Sequence, residues 1–191
     1  DFDRLNIPYR AVATDVDTGE KVVLARGDFA NAMRASMAVP GLFSPVEVDG
    51  RRLVDGGLVD NMPVDVVREM GAEVVIAVDL GAAADQGVKG PKTLWDVAGR
   101  MMAILTRANV QSQSRDADLV LKPDLTGLSA AGFAMIDRFV PRGEQCAREG
   151  KEALEKYSVA PDEYRAWMDH QRNRVAVPMR VCSIRVAGNR Q

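Results

Sequence analysis

The side chains with chemical potential in this sequence are aspartates. Asp55 is followed by Gly56 and Gly57 and ends an apolar run. A carboxylate at the C-terminal end of a sheet strand stands where doubly wound folds place their sites. Two glycines after it let backbone and substrate come close. Asp-Gly-Gly also reads as an ordinary turn, but the hairpin here already has its turn at Asp49-Gly50. A second chemistry is open to the same residues. Asp15 and Asp17 follow an apolar strand, and Asp55 with Asp60 forms another carboxylate pair that could help hold Mg²⁺ in an aspartyl-phosphate phosphohydrolase. That reading is weakened because Gly19 stands where Thr or Val is expected, and Asp17-Thr18-Gly19-Glu20 reads as a hairpin turn.

The other reactive side chains carry less. His170 lies in a polar helical stretch beside Asp169, Gln171 and Arg172, as a solvated residue would. No Gly-x-Ser-x-Gly occurs in the 191 residues, nor a glycine-rich oxyanion loop. Ser36 and Ser44 have no flanking glycines and read as structural. Cys146 and Cys182 are too few for a disulfide framework, and no His/Cys cluster suggests a metal, so neither metal nor cofactor is expected.

These residues need a scaffold, and strands and helices alternate to provide one. Pro8–Val16 and Lys21–Ala25 predict strands joined at Gly19-Glu20. Asp28 predicts an N-cap for a helix over Phe29–Val39. Phe43–Val48 and Arg51–Val54 flank Asp49-Gly50, a hairpin signal. Asn61 predicts the cap of a helix through Met70, with Gly71 after its end. Glu73–Leu80 carries VVIAVDL, the kind of run buried on both faces of a parallel sheet. A long helix is predicted from Pro91 to about Arg115, a strand over Asp118–Lys122, and a helical pair over Pro141–Tyr157 and Pro161–Arg174. The alternation predicts an α/β/α arrangement with a mostly parallel sheet. Met101–Leu105 and Gly132–Ile136 are apolar enough to line an acyl channel, with core packing the simpler reading.

The stretch Ala35–Leu80 carries a recognisable order of residues: Ala35-Ser36, Ala38, Pro40, Phe43, Pro45-Val46, Asp55-Gly56-Gly57, Asn61 and Pro63. In this order it resembles the patatin-like phospholipases. The resemblance runs back through Ala13-Thr14-Asp15 and forward to about Ala153. It implies a Ser–Asp dyad in a three-layer α/β/α fold, with the serine on a Gly-x-Ser-x-Gly elbow and a glycine-rich oxyanion loop. Asp55 falls on the family's catalytic aspartate, with Gly56 and Gly57 supporting it. Its implied role is to take the proton of the serine as that attacks an ester carbonyl, then return it. The implied substrate is a phospholipid or other lipid ester met at a membrane surface. Because the elbow is missing, the nucleophile is expected in a part of the same domain preceding Asp1, and this chain alone is expected to be inactive. A patatin-like scaffold without activity is the alternative.

Residues 1–178 are accordingly expected to be the C-terminal part of that domain, and 179–191 the opening of a further module. Ile184–Asn189 resembles the first strand of a POTRA domain. If so, the parent is a bacterial protein that is secreted, surface-exposed or held in the outer membrane; a cytoplasmic hydrolase is the alternative. Composition is that expected of a soluble globular protein, with 47% hydrophobic and 27% charged residues. Lys+Arg 25 against Asp+Glu 27 leaves no basic footprint for nucleic acid and no polybasic membrane anchor.

Overall fold

A computed structural model describes residues 1–81, 94–128 and 136–174. Contacts divide the chain into two units, Asp1–Tyr157 and Ser158–Gln191. The first opens with a single 3-10 turn over Phe2–Arg4. The strands β1 (Ala11–Asp15) and β2 (Lys21–Leu24) follow as an antiparallel hairpin, with Ala13 opposite Val22. Helix α1 (Phe29–Ser36) leads to a second hairpin, β3 (Val46–Val48) and β4 (Arg51–Asp55). Asp49 (φ 51°) and Gly50 (φ 75°) both turn left-handed, as a two-residue type I′ turn demands. Asp28 caps α1 as its position suggests, its Oδ1 accepting the Asn31 N–H at 2.7 Å.

β4 pairs antiparallel with β1, so the two hairpins merge into one sheet ordered β2-β1-β4-β3. The α/β class is that implied by the alternation. The four-stranded sheet is antiparallel rather than mostly parallel: a short turn joins the strands within each hairpin, which permits only antiparallel neighbours there, and β4 runs antiparallel to β1 across the intervening α1. One parallel pair is present among the described residues, β5 (Ile76–Val78) with β6 (Leu119–Leu121), linked by the long helix α3 (Leu94–Gln113).

Two cores flank the stretch around Asp55. The first joins Phe2, Ala11, Ala13 and Leu24 to Ala32, Ala35 and Ala38 of the α1 region and to Val46 and Leu53. Alanines on both sides let α1 lie close on the sheet. The second joins Met62, Val64, Val75, Ala77 and Val110.

Three local expectations need correction. Asn61 does not cap the next helix. Helix α2 (Val64–Glu69) starts after Pro63 without a side-chain cap, and Asn61 sits one turn earlier. Two first-turn donors find other acceptors: the Val64 N–H donates to the Met62 carbonyl at 2.7 Å and the Val66 N–H to Asp65 Oδ1 at 2.8 Å, which leaves less for a capping side chain to satisfy. The Glu73–Leu80 run forms a shorter strand than expected and is covered on one face. Val75 and Ala77 are buried, while Val74, Ile76, Val78 and Leu80 are exposed. Helix α4 (Ile136–Glu149) starts five residues before Pro141 and holds that proline within its second turn, so the proline does not mark the start. A short α5 (Lys151–Glu155) follows after Gly150.

In the second unit, α6 (Pro161–Arg174) has the expected bounds, with Tyr164 and Trp167 stacked at 6.0 Å and His170 exposed. The module expected over 179–191, Cys182, Pro91 and Gly132–Met135 lie outside the described residues. Met101 and Ile104 are exposed rather than in the core, as is Ile136. No helix among the described residues is long and apolar enough to cross a membrane.

Candidate active site

Asp55 is the last residue of β4 and opposes Ala13 of β1, a strand buried along its whole length. Its backbone is held on two sides. The N–H donates to the Ala38 carbonyl at 3.0 Å, and the carbonyl accepts from the Thr14 hydroxyl at 2.9 Å. The chain then turns through a single 3-10 turn, Gly56–Leu58, capped by the Asp55 side chain itself. Oδ1 accepts the Gly57 N–H at 2.7 Å.

The two glycines serve different purposes. A Cβ on Gly56 would lie 2.2 Å from the Val12 carbonyl oxygen, so the chain passes directly over the β1 backbone. A Cβ on Gly57 would meet side chains: Asn61 Oδ1 at 2.7 Å and Asp55 Oδ1 at 3.0 Å. Neither has a positive φ. Space, rather than backbone conformation, requires them.

Burial raises the pKa of Asp55 above the ordinary carboxylate value, and the Gly57 N–H pulls it part of the way back. The carboxylate is half-buried, with a raised proton affinity and one oxygen fixed by a backbone donor. Such a group can accept a proton from a neighbouring hydroxyl and hold it.

Asp60 ends the same turn and has a different setting. It is buried, accepts the Met62 N–H at 3.3 Å, and pairs with Lys21 Nζ of β2 at 3.0 Å. Lys21 also reaches Asp65 of α2. Burial raises Asp60 in spite of Lys21. Lys21 loses to its own desolvation, but hydrogen bonds to Asp65 and Asp60 outweigh that and its pKa is raised. Lys21→Met is therefore expected to strand the Asp60 carboxylate and cost about 1–3 kcal/mol at neutral pH, since the lysine is itself about a third exposed. Without Lys21, the folded pKa of Asp60 stands further above its unfolded value. A group shifted this way contributes fully below the unfolded pKa and loses its contribution as pH rises through the folded one. Thermal melting should show the variant's deficit at pH 7 shrinking towards about pH 4.

Helix α3 reaches the turn from the second core. Thr106 Oγ1 and Asn109 Nδ2 both donate to the Gly57 carbonyl, at 3.1 and 3.3 Å. Asn109 Oδ1 accepts the Asn61 N–H at 3.1 Å. Lys21, Thr106 and Asn109 were not singled out by the sequence. The spacing of Thr106 and Asn109, three apart on a helix and hence on one face, is the signal that could have found the latter two.

The remaining acidic residues are turned elsewhere. Asp15 Oδ1 accepts the Asp17 and Thr18 N–H groups, and Asp17 pairs with Arg52. These are turn and ion-pair roles, with a basic side chain occupying the pair that a phosphohydrolase would need for Mg²⁺. No cluster of three or more His, Cys, Asp or Glu suited to a metal occurs among the described residues. Ser36 ends α1 and Ser44 is exposed ahead of β3; no serine hydroxyl hydrogen-bonds Asp55 among the described residues.

Comparison with known proteins bears on the same segment. Residues 2–68 match the model of the patatin-like phospholipase family, a shorter stretch than the resemblance through about Ala153. An uncharacterized NTE family protein of Mycobacterium bovis is 46% identical over 82 residues, 43% of this chain and 23% of that protein. Patatin-like phospholipase domain-containing protein 7 of Mus musculus is 42% identical over 78 residues, 40% of this chain and 6% of its own length. Lysophospholipase NTE1 of Mycosarcoma maydis is 34% identical over 121 residues, 63% of this chain and 6% of its own. The chain thus spans about a quarter of the length of the mycobacterial relative it matches and far less of the others.

Proposed function

Residues 2–68 belong to the patatin-like phospholipase family, and on that premise we propose that Asp55 is the general base of a lipid acyl hydrolase working through a Ser–Asp dyad. The observation that carries the reading is the setting of Asp55. Its carboxylate ends a core strand, is half-buried with a raised pKa, and is fixed by the Gly57 N–H. A phospholipid or related lipid ester is the substrate class, in keeping with the relative named a lysophospholipase.

In the reaction Asp55 takes the serine proton as the hydroxyl attacks the ester carbonyl. It gives that proton to the departing alcohol, then takes one from the water that attacks the acyl-enzyme and returns it to the serine oxygen as the fatty acid leaves. One Asp55 oxygen is tied to Gly57, which leaves the other for the hydroxyl. The serine and the oxyanion donors come from sequence outside residues 1–191, since none of these residues forms the elbow. Alone, the chain is inactive on esters.

The test is covalent. A fluorophosphonate reacts with a serine only where a base activates it. The full-length polypeptide should be labelled at one serine outside this segment, and Asp55→Asn should slow that labelling by at least 100-fold, the low end of what a general base supplies. Labelling that is unchanged in the variant refutes the role of Asp55.

A further inference from the structure

The Asp55 turn is fixed from two directions, and one of them is a helix remote in sequence. The carbonyl of Gly57 receives two side-chain donors from α3, Thr106 Oγ1 and Asn109 Nδ2. The same Asn109 amide uses its oxygen to hold the Asn61 N–H. One side chain therefore grips both ends of the stretch from Gly57 to Asn61. The N–H of that same Gly57 holds the Asp55 carboxylate. Below the turn, Gly56 packs closely on β1, since even a Cβ there would fall 2.2 Å from the Val12 carbonyl oxygen. The second core supports the helix from behind, where Val110, next to Asn109, packs with Met62 and Val64.

We propose that Thr106 and Asn109 are positioning residues for the Asp55 carboxylate, acting through the Gly57 peptide rather than by touching Asp55. This rests on the general-base reading of Asp55. The physical argument is one of rotation. Gly57 has no side chain to fix its orientation, and the N–H that binds Asp55 is only as steady as the residue that bears it. A carbonyl with two donors resists turning about the residue's bonds, and an amide that also holds Asn61 stops the turn from opening at its far end. An aspartate whose oxygen wanders by an ångström loses the near-attack geometry on which its rate depends. Substrate affinity does not depend on that alignment, so the loss falls on kcat and leaves KM alone.

The experiment uses the full-length polypeptide and three variants: Thr106→Val, Thr106→Ser and the double Thr106→Val/Asn109→Leu. Valine keeps the shape and removes the donor, while serine keeps the donor. We expect the double variant to exchange its backbone amides over residues 56–61 at least tenfold faster. Its kcat for a lipid ester should fall about tenfold with KM within twofold, and Thr106→Ser should stay within twofold of the parent throughout. Unchanged exchange in the double variant overturns the proposal. So does an equal loss of kcat in Thr106→Ser and Thr106→Val, a pair that decides the matter even where the double variant fails to fold. Turnover of Asp55→Asn in the same assay separates the two ideas. If it is near normal, the general-base reading falls, while exchange still reports whether α3 holds the turn.

Discussion

Asp55→Asn in the full-length polypeptide is expected to lower ester hydrolysis by about 10²–10⁴-fold, or roughly 3–5 kcal/mol of barrier. Asparagine keeps the shape, and its oxygen can still accept the Gly57 N–H. What it loses is the ability to take a proton. The stability effect should run the other way. Burial raises the Asp55 pKa in the folded protein, so the charged form is disfavoured by folding. That contribution is full below the unfolded pKa and lost as pH rises through the folded one. The neutral asparagine escapes the loss, so the variant should melt at or above the parent temperature at pH 7, with the difference closing below about pH 4. Calorimetry and a lipid-ester assay on the same samples check both halves. A variant that loses both activity and stability would show Asp55 to be a structural carboxylate.

The second large effect separates the two glycines. Gly56→Ala puts a methyl group 2.2 Å from the Val12 carbonyl, and both partners are backbone in the core of the sheet. Something must shift, and β1 has nowhere to go. A cost of about 3 kcal/mol or more is expected, the upper end of overpacking. Gly57→Ala meets only the side chains of Asn61 and Asp55, which can rotate aside. Its melting temperature should therefore change little while its turnover collapses, because the group pushed aside is the proposed base. Melting curves and kcat for the two variants give opposite rankings if this is right. Equal destabilisation of both would mean that the turn is merely tightly packed.

How far the sequence reached can be seen residue by residue. Asp49-Gly50, Asp28 and Gly71 announced their turn and caps because each signal is local, and each is where the chain should have it. The candidate aspartate stands out for a similar reason: Asp55-Gly56-Gly57 is contiguous, and it lies within the residues that match a family model. The role of Gly56 was only half legible. A close backbone approach was expected, but the partner is β1 rather than a substrate. Pairing across 41 residues, from Thr14 to Asp55, or from Asn109 to Gly57 across 52, leaves no periodic trace in the chain. Nor could the apolar run at Val74–Leu80 say that one face would stay uncovered, because a buried strand and a half-covered one are both rich in valine and isoleucine. Asn61 misled for a further reason. It is a residue of cap type, but the cap position falls two places later at Pro63, and Met62 and Asp65 accept the first-turn N–H groups of Val64 and Val66 instead.

That half-covered strand has a consequence for how the molecule behaves in a crowd. β5 belongs to a sheet of two strands among the described residues, and Val74, Ile76 and Val78 face outward along it. An open strand rich in branched apolar side chains is a template on which a like strand can grow, and proteins usually guard such borders with charge, proline or a bulge. None of the three interrupts residues 74–78. Glu73 just before it and Asp79 just beyond, the latter paired with Lys122, are the nearest charges to serve as gatekeepers. Colloidal behaviour therefore hangs on whatever lies across this border: covered, it is ordinary core; bare, it is the place where one copy begins to recruit another.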